Sequence, residues 1–270
     1  MINSVSGRAM TNRIFLNGLV GALLATLTPM FASAAETTDY DRIDESQWRY
    51  RVTPYLWGAG LEGEVGKFGR RADVSKSFSE VLEGLDAGAM LAFEARLGRY
   101  GVFTDLLYVS LSESTSIPTP IGIDVEADAK VRASTFMLAG QYRAAEDERG
   151  YIDLVGGVRY WGLSTDVNVS LGTLFSVDGS DKESWVDPVL GLKGTYHLGE
   201  RTYFTGWAMV GGFDVGSRFS SDLMGALGYK LTDQSALLLA YRRLAVDYTS
   251  SDFTFDASLQ GPAIGWDYRF

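Results

Sequence analysis

Cysteine is missing from the 270 residues, histidine occurs once, and acidic residues outnumber basic ones by 34 to 24. The lack of cysteine excludes a disulfide framework and thiolate metal sites. The formal charge of −10 offers nucleic acid no general electrostatic attraction. Beyond the N-terminal region no segment approaches about 18 consecutive apolar residues, as a membrane-spanning helix requires. A mature chain that enters a membrane must therefore cross it as tilted strands of a closed barrel.

The N-terminal region has the three parts of a secretory signal. Arg8 and Arg13 supply positive charge, an apolar run follows, and Ala32-Ser33-Ala34 is a small-residue cleavage motif. We predict a signal peptide over 1–34 and a polar periplasmic leader over 35–47. Cleavage there changes the formal charge from −10 to −12, because the removed part contains two arginines and no acid. An uncleaved anchor is the alternative, but the run is short for a span of about 20 residues.

Ten segments then alternate between apolar and polar residues with the period of two that is typical of β-strands. We therefore predict an all-β fold, a transmembrane antiparallel up-and-down β-barrel of about ten strands over 48–270, with eight or twelve strands as alternatives. A soluble β-sandwich would share the alternation but not the aromatic residues at the strand ends. The ten segments are 48–63, 86–98, 101–113, 124–143, 151–168, 184–198, 202–215, 219–231, 235–248 and 253–270.

The connections between these segments alternate between short and long. In outer-membrane barrels the short connections face the periplasm and the long ones face outside. The pattern therefore places both chain ends on the periplasmic side and requires an even number of strands. Short connections are predicted at 98–101, 146–150, 199–201 and 232–234; longer loops are predicted at 64–85, 114–123 and 169–183, with shorter ones at 216–218 and 249–252.

Two positions inside the predicted strands depart from regular alternation. The phase changes near Arg132 to Ser134, which indicates a bulge or the end of the membrane band. The pair Gly156-Gly157 lies within a strand pattern and indicates a bend or a bulge.

The last strand is the most regular, and it ends on a C-terminal aromatic residue. Together with the segments at 53–57, 77–86, 93–96 and 185–188, the ending GPAIGWDYRF resembles a group of uncharacterised proteobacterial outer-membrane β-barrel proteins. The resemblance implies a small barrel in the bacterial outer membrane and transfers no substrate or catalytic residue. Similarity to other barrels implies that barrel-insertion machinery and periplasmic chaperones read an assembly signal formed by Ile264, Trp266, Tyr268 and Phe270.

Charged residues of both signs occupy the polar phase of the strands and should point into the lumen. Unpaired charges are costly where the dielectric constant is low, so mutual ion pairing is one expectation. A water-filled path for small solutes is the other. The matching functions are a narrow, porin-like passive channel for small polar solutes and a closed structural or surface-interaction barrel with an ion-paired lumen. The predicted lumen charges are Arg51, Glu94, Arg96, Asp105, Asp153, Arg159, Asp187, Lys193, Arg242 and Asp267.

The loop at 64–85 contains a short helix signal. Ser77 and Glu80 have the spacing of a capping box. The apolar residues Phe78, Val81, Leu82 and Leu85 then fall on one helical face. Such a helix could pack against the barrel rim, or it could fold into the mouth as a plug.

No catalytic, cofactor-binding or metal-binding residues are predicted, and an outer-membrane enzyme is a distant alternative. Surface hydrolases commonly need a histidine base near the outer rim. The single histidine, His197, is instead predicted to point inward beside a short turn. The expected partners are outer-membrane lipid and lipopolysaccharide, with no nucleic acid, and the oligomeric state is left open.

Overall fold

The computed structural model describes residues 41–67, 70–117, 125–171 and 175–270. The predicted signal peptide and the first part of the leader lie outside these residues. None of the described residues belongs to a helix long and apolar enough to span a membrane. The elements are β1 (Arg49–Trp57), β2 (Gly60–Lys67), β3 (Arg70–Lys76), α1 (Phe78–Glu83), β4 (Leu85–Leu97), β5 (Tyr100–Ile117), β6 (Val125–Glu146), β7 (Gly150–Leu171), β8 (Phe175–His197), β9 (Thr202–Gly212), β10 (Phe219–Lys230), β11 (Ser235–Thr249) and β12 (Phe253–Arg269).

Ten of these strands form a closed antiparallel barrel, as predicted. The order runs from β1 to β4 and then through β12, and β12 pairs with β1 to complete the circle. At the seam, Arg51 lies opposite Arg269 and Trp57 lies opposite Ala263. Closure gives every wall strand two neighbours and so removes the unpaired edges of an open sheet.

The period-two pattern places apolar residues on the outer surface and polar residues inside. On β8, Leu190 and Leu192 are exposed outward, whereas Val189 and Lys193 are buried. The same arrangement holds on β7, where Ile152 is exposed and the next residue, Asp153, is buried.

The residues predicted as an assembly signal lie along β12. Ile264, Trp266 and Phe270 are exposed on its outer face. Phe270 exchanges two backbone hydrogen bonds with Tyr50, and their rings stack with centroids 5.4 Å apart. The C-terminal residue is thus part of the barrel seam, and its role in assembly stays a prediction.

Strands enter all three segments that were predicted as long loops. The first contains part of the β2–β3 hairpin and α1, the second begins with the end of β5, and the third contains the end of β7 and the start of β8. Polar residues occupy both faces of these extensions, so alternation alone did not reveal them. In contrast, β9 ends at Gly212 rather than at 215, because Phe213 and Asp214 turn the chain with φ of 52° and 61°.

The two predicted irregularities are not bulges. The β5–β6 register continues without a shift from Tyr100 opposite Tyr142 to Ile117 opposite Val125. A shift occurs instead between Arg143 and Ala145, beside a short turn. Gly156 and Gly157 also keep regular register with β6.

The wall has very different heights around the barrel. β7 and β8 contain 22 and 23 residues, whereas β9 and β10 contain 11 and 12. β8 lies five strands from β1 in either direction, yet its upper half reaches the opposite side of the mouth. There Asp181 lies 2.5 Å from Lys67 of β2, and the Trp185 ring stacks on Tyr248 of β11 at 3.9 Å. The tall β7–β8 hairpin therefore leans over the low wall.

Close strand packing explains Gly157. A Cβ at this position would lie 2.2 Å from the Leu138 carbonyl oxygen, whereas one at Gly156 would meet only a Leu190 methyl group at 3.2 Å. We expect Gly157→Ala to lower the free energy of unfolding by about 1–3 kcal/mol through overpacking. Gly156→Ala should change it by less than about 0.5 kcal/mol. Urea unfolding in detergent micelles, followed by tryptophan fluorescence, checks this; equal effects of the two substitutions would contradict it.

Candidate functional site

All ten predicted lumen charges are buried inside the barrel, and each is at most 8% exposed. They belong to seven of the ten wall strands; β6, β9 and β10 supply none of them. The structure divides them into three groups along the barrel axis. We call these the upper, middle and lower clusters, with the lower cluster nearest the short turns.

An aromatic layer caps the lumen at the end of the long hairpins. Trp161 and Trp185 stack with ring centroids 5.8 Å apart, and Trp185 continues onto Tyr248. Phe255 packs against the same group, and Trp57 is buried within it. These rings come from β1, β7, β8, β11 and β12, so the layer reaches across the mouth.

The upper cluster is centred on Arg242. Its guanidinium lies 2.6 Å from Asp105 and 2.8 Å from Asp222. Arg159 also pairs with Asp222 at 2.5 Å, and the Tyr55 hydroxyl donates to Asp105 at 2.8 Å. Two arginines and two aspartates thus neutralise one another in the upper lumen.

Asp187 lies beside the upper cluster and is held by hydrogen-bond donors. The backbone N–H of Ser217 donates to it at 2.7 Å, and the Ser217 hydroxyl donates as well. Trp161 Nε1 donates to the same carboxylate at 2.9 Å. The short β9–β10 loop is thereby tied to β8.

The middle cluster joins β4, β6, β7 and β8. Lys193 pairs with Glu94, which also lies 3.3 Å from Arg96. Arg96 in turn pairs with Asp153, whose other oxygen accepts from Arg143 at 2.7 Å. These charged side chains form one continuous series of ion pairs across the lumen.

The lower cluster contains a carboxylate that comes from outside the barrel wall. Asp41, in the leader, is 2% exposed and lies 2.9 Å from Arg51. Its other carboxylate oxygen lies 3.1 Å from Nε2 of His197 and 3.7 Å from Arg269. Because an ionised carboxylate only accepts hydrogen bonds, Nε2 is the donor. Asp267 completes the cluster, 2.9 Å from Arg269.

Cations keep Asp41 ionised despite its burial. Burial raises the pKa of this carboxyl, but Arg269, the hydrogen bond from His197 and Arg51 together lower it more strongly. The pKa therefore lies far below its ordinary value of 3.8. At neutral pH Asp41 therefore carries a full negative charge at the lower end of the lumen.

A small cavity of ≈ 70 Å³ separates the upper and lower clusters. Its walls are mainly apolar and include Phe103, Trp207 and Met224. Tyr55 and Lys193 also reach it. The cavity has room for a few water molecules.

The helix signal is confirmed, and the helix lies at the rim. Ser77 and Glu80 form the capping box, and hydrogen bonds from Ser77 lower the pKa of Glu80. None of the helix residues is buried: Phe78 and Leu82 are exposed, Val81 is half-buried, and Leu85 begins β4 as an exposed residue. A plug would bury this apolar face in the lumen, so the position of α1 favours packing against β2 and β3.

Three important lumen residues were missed from the sequence. Arg143 and Asp222 follow the inward phase of β6 and β10, so the alternation of Tyr142 and Leu223 could have revealed them. Asp41 precedes the first strand, and no local pattern distinguishes it from the other leader acids. His197 was expected inward beside a short turn, and it is buried there.

No protein-family model matches the chain, and no curated protein matches it in sequence. Among solved structures, the outer membrane protease OmpT from Escherichia coli is 11% identical with a TM-score of 0.51, over 89% of this chain and 100% of OmpT. This chain has the fold of an outer-membrane β-barrel. The translocator domain of autotransporter NalP from Neisseria meningitidis is 15% identical with a TM-score of 0.44, over 84% of this chain and 91% of that domain. At these identities the similarity concerns the fold alone.

The chemistry of this barrel's lumen is that of mutual charge neutralisation. Asp105 and Asp153 lie in different clusters and each contacts an arginine, so they do not form a carboxylate pair suited to acid–base catalysis. Within the described residues, no group of three or more histidine, cysteine or acidic side chains is arranged to hold a metal ion.

Arg242→Ala should be severely destabilising because it removes the cation shared by Asp105 and Asp222. Breaking a buried ion pair on one side costs about 3–5 kcal/mol. The neighbouring Arg243 is exposed on the outer face, so Arg243→Ala should cost less than about 0.5 kcal/mol. Urea unfolding of both variants provides the comparison, and a tolerant Arg242→Ala would contradict the pairing.

Asp41→Asn should lower the free energy of unfolding by about 3 kcal/mol at pH 7, because Arg51 and Arg269 lose a buried counter-ion. The folded-state pKa of Asp41 is lowered, so its contribution is complete above the ordinary value of 3.8 and declines as the pH falls below it. The difference between wild type and variant should therefore shrink on acidification. Urea unfolding between pH 7 and pH ~3 measures it; a difference that grows with acid would overturn the assignment.

Proposed function

We propose that this protein is an integral outer-membrane barrel whose lumen is closed and whose tall outer hairpins form a surface for interaction. The observation that carries the proposal is the pairing of the inward charges in three clusters beneath an aromatic cap. Its short turns would face the periplasm and its long hairpins would face outside. The chain acts without catalysis in this proposal.

Closure follows from the cost of separating the charges. A solute that passes the middle cluster must part Lys193 from Glu94 or Arg96 from Asp153. Each separation leaves buried charge without a counter-ion, which costs several kcal/mol. The aromatic cap above and Asp41 below add two further barriers.

The interaction surface is the ordered part of the wall above the lumen. A tilted strand crosses the hydrocarbon core with about 9–11 residues, but β7 and β8 contain 22 and 23. An isolated two-stranded hairpin is only marginally stable in water. Here the contacts of Asp181 and Trp185 across the mouth hold the hairpin in place. The extension is therefore built to present a defined surface.

A narrow passive channel is the second candidate, and the cavity between the clusters favours it. In that proposal the leaning β7–β8 hairpin is a lid above a path through the lumen. We also propose that the chain belongs to the uncharacterised proteobacterial barrel family and is cleaved after Ala34. In the membrane it would contact lipopolysaccharide and assembly factors.

Planar-bilayer recording of the protein, expressed as the full chain and purified from membranes, tests closure. After heat-modifiable migration confirms folding, we expect no conductance steps, because the ion pairs and aromatic cap block the lumen. Steady steps that scale with salt concentration would overturn the closed barrel.

A shortened hairpin separates the two candidates. Replacing 167–179 with Asn-Gly leaves Lys67 and Asp181 in place. A closed barrel stays silent after this change because the clusters are untouched. Conductance that appears only in the shortened variant would favour the lidded channel.

A further inference from the structure

The lower cluster is built like a binding site whose occupant, the Asp41 side chain, belongs to the same protein. Its cations are Arg51 on β1 and Arg269 on β12, and His197 lies at the end of β8. Closure of the barrel fixes the positions of these strands. Its carboxylate, Asp41, belongs to the leader, which lies outside the wall. The cations would therefore keep their places if the leader withdrew.

We propose that the lower cluster is a binding site for small organic carboxylates that opens to the periplasm, and that Asp41 occupies it in cis. One carboxylate oxygen of Asp41 faces Arg51 at 2.9 Å, and the other faces His197 at 3.1 Å and Arg269 at 3.7 Å. A planar two-oxygen anion satisfies both sides of this site at once.

The site is organised before its occupant arrives. Arg269 lies 2.9 Å from Asp267, and Arg51 lies 3.6 Å from the same residue. Tyr203 donates to Asp267 at 3.2 Å, and its ring lies 5.1 Å from the Arg269 guanidinium.

The buried cations at this end act electrostatically on Asp41. Arg51 and Arg269 lie beside it and Lys230 lies nearby, and the wall acids that act on these cations are Asp267, Glu94 and Asp233. Withdrawal of Asp41 removes one negative charge from beside Arg51 and Arg269, and an incoming carboxylate would replace it. The proposed carboxylate site is distinct from a general solute path. The proposal therefore holds whether or not the lumen conducts ions.

The described part of the leader makes one further contact in the lumen, where buried Arg143 donates to the Asp41 carbonyl oxygen at 2.7 Å, and it also makes contacts at the rim. The Ile43 N–H donates to Glu146 at 3.2 Å, and the Asp44 carbonyl accepts from the Gly98 N–H at 2.8 Å. Asp44 places its carboxylate outside the lumen, where it accepts from Ser46 and pairs with Arg49 at 3.2 Å. Asp44 is therefore a matched control for Asp41 in the same segment.

Chemical rescue of Asp41→Ala tests the proposal. In chloride this variant should unfold at a lower urea concentration than wild type. Acetate at the same ionic strength should raise its midpoint saturably and recover at least half of the loss. Wild type and Asp44→Ala should respond equally to the two salts, because their site is already filled. The readout is stability, so its failure is distinct from a failure of the conductance test.

Two results would overturn the carboxylate site: acetate no better than chloride for Asp41→Ala, or an Asp41→Ala midpoint equal to that of wild type. If Asp41→Ala does not fold in chloride, the heat-modifiable fraction after refolding becomes the readout. Folding restored by acetate then supports the site, and folding restored by neither salt rejects it.

Discussion

Neutralisation of buried charge is the constraint on which the rest of this barrel depends. The lumen of ten strands is narrow, and its inward residues are charged on nearly every strand. Some of the ion pairs connect strands that are distant along the wall: Arg242 on β11 contacts Asp105 on β5, and Lys193 on β8 contacts Glu94 on β4. These pairs therefore hold distant strands together as well as neutralising buried charge. Removing one partner affects both functions, because the remaining charge cannot reach water.

The unequal wall height determines how the two ends of the lumen differ. Short β9 and β10 leave room for the β7–β8 hairpin to cross the mouth, where aromatic rings stack on one another. At the other end the turns are short, and the leader supplies the missing carboxylate through Asp41. One end of the lumen is thus lined by packed aromatic rings and the other by paired charges. The pairing at the lower end depends on pH, because it involves the ionised carboxylate of Asp41.

The transmembrane part of the fold was predictable because its signal is local. Alternation along β8 and β12 specifies which side chains face out, and lipid outside and charge inside enforce that choice. The extended hairpins were not predictable in this way, because both of their faces meet water and no alternation is required. Gly157 illustrates a further limit: its need for a small residue comes from the Leu138 carbonyl on the neighbouring strand.

The sequence by itself determined the ten strands, the inward position of the predicted charges and the capped helix at 78–83, since each follows from residues close together in the chain. Only the tertiary structure decided which charges pair, how the hairpin crosses the mouth and which residue fills the lower cluster. Asp41 meets Arg269 across more than two hundred residues of sequence. Such a contact depends on strand register and barrel closure, which no short segment encodes.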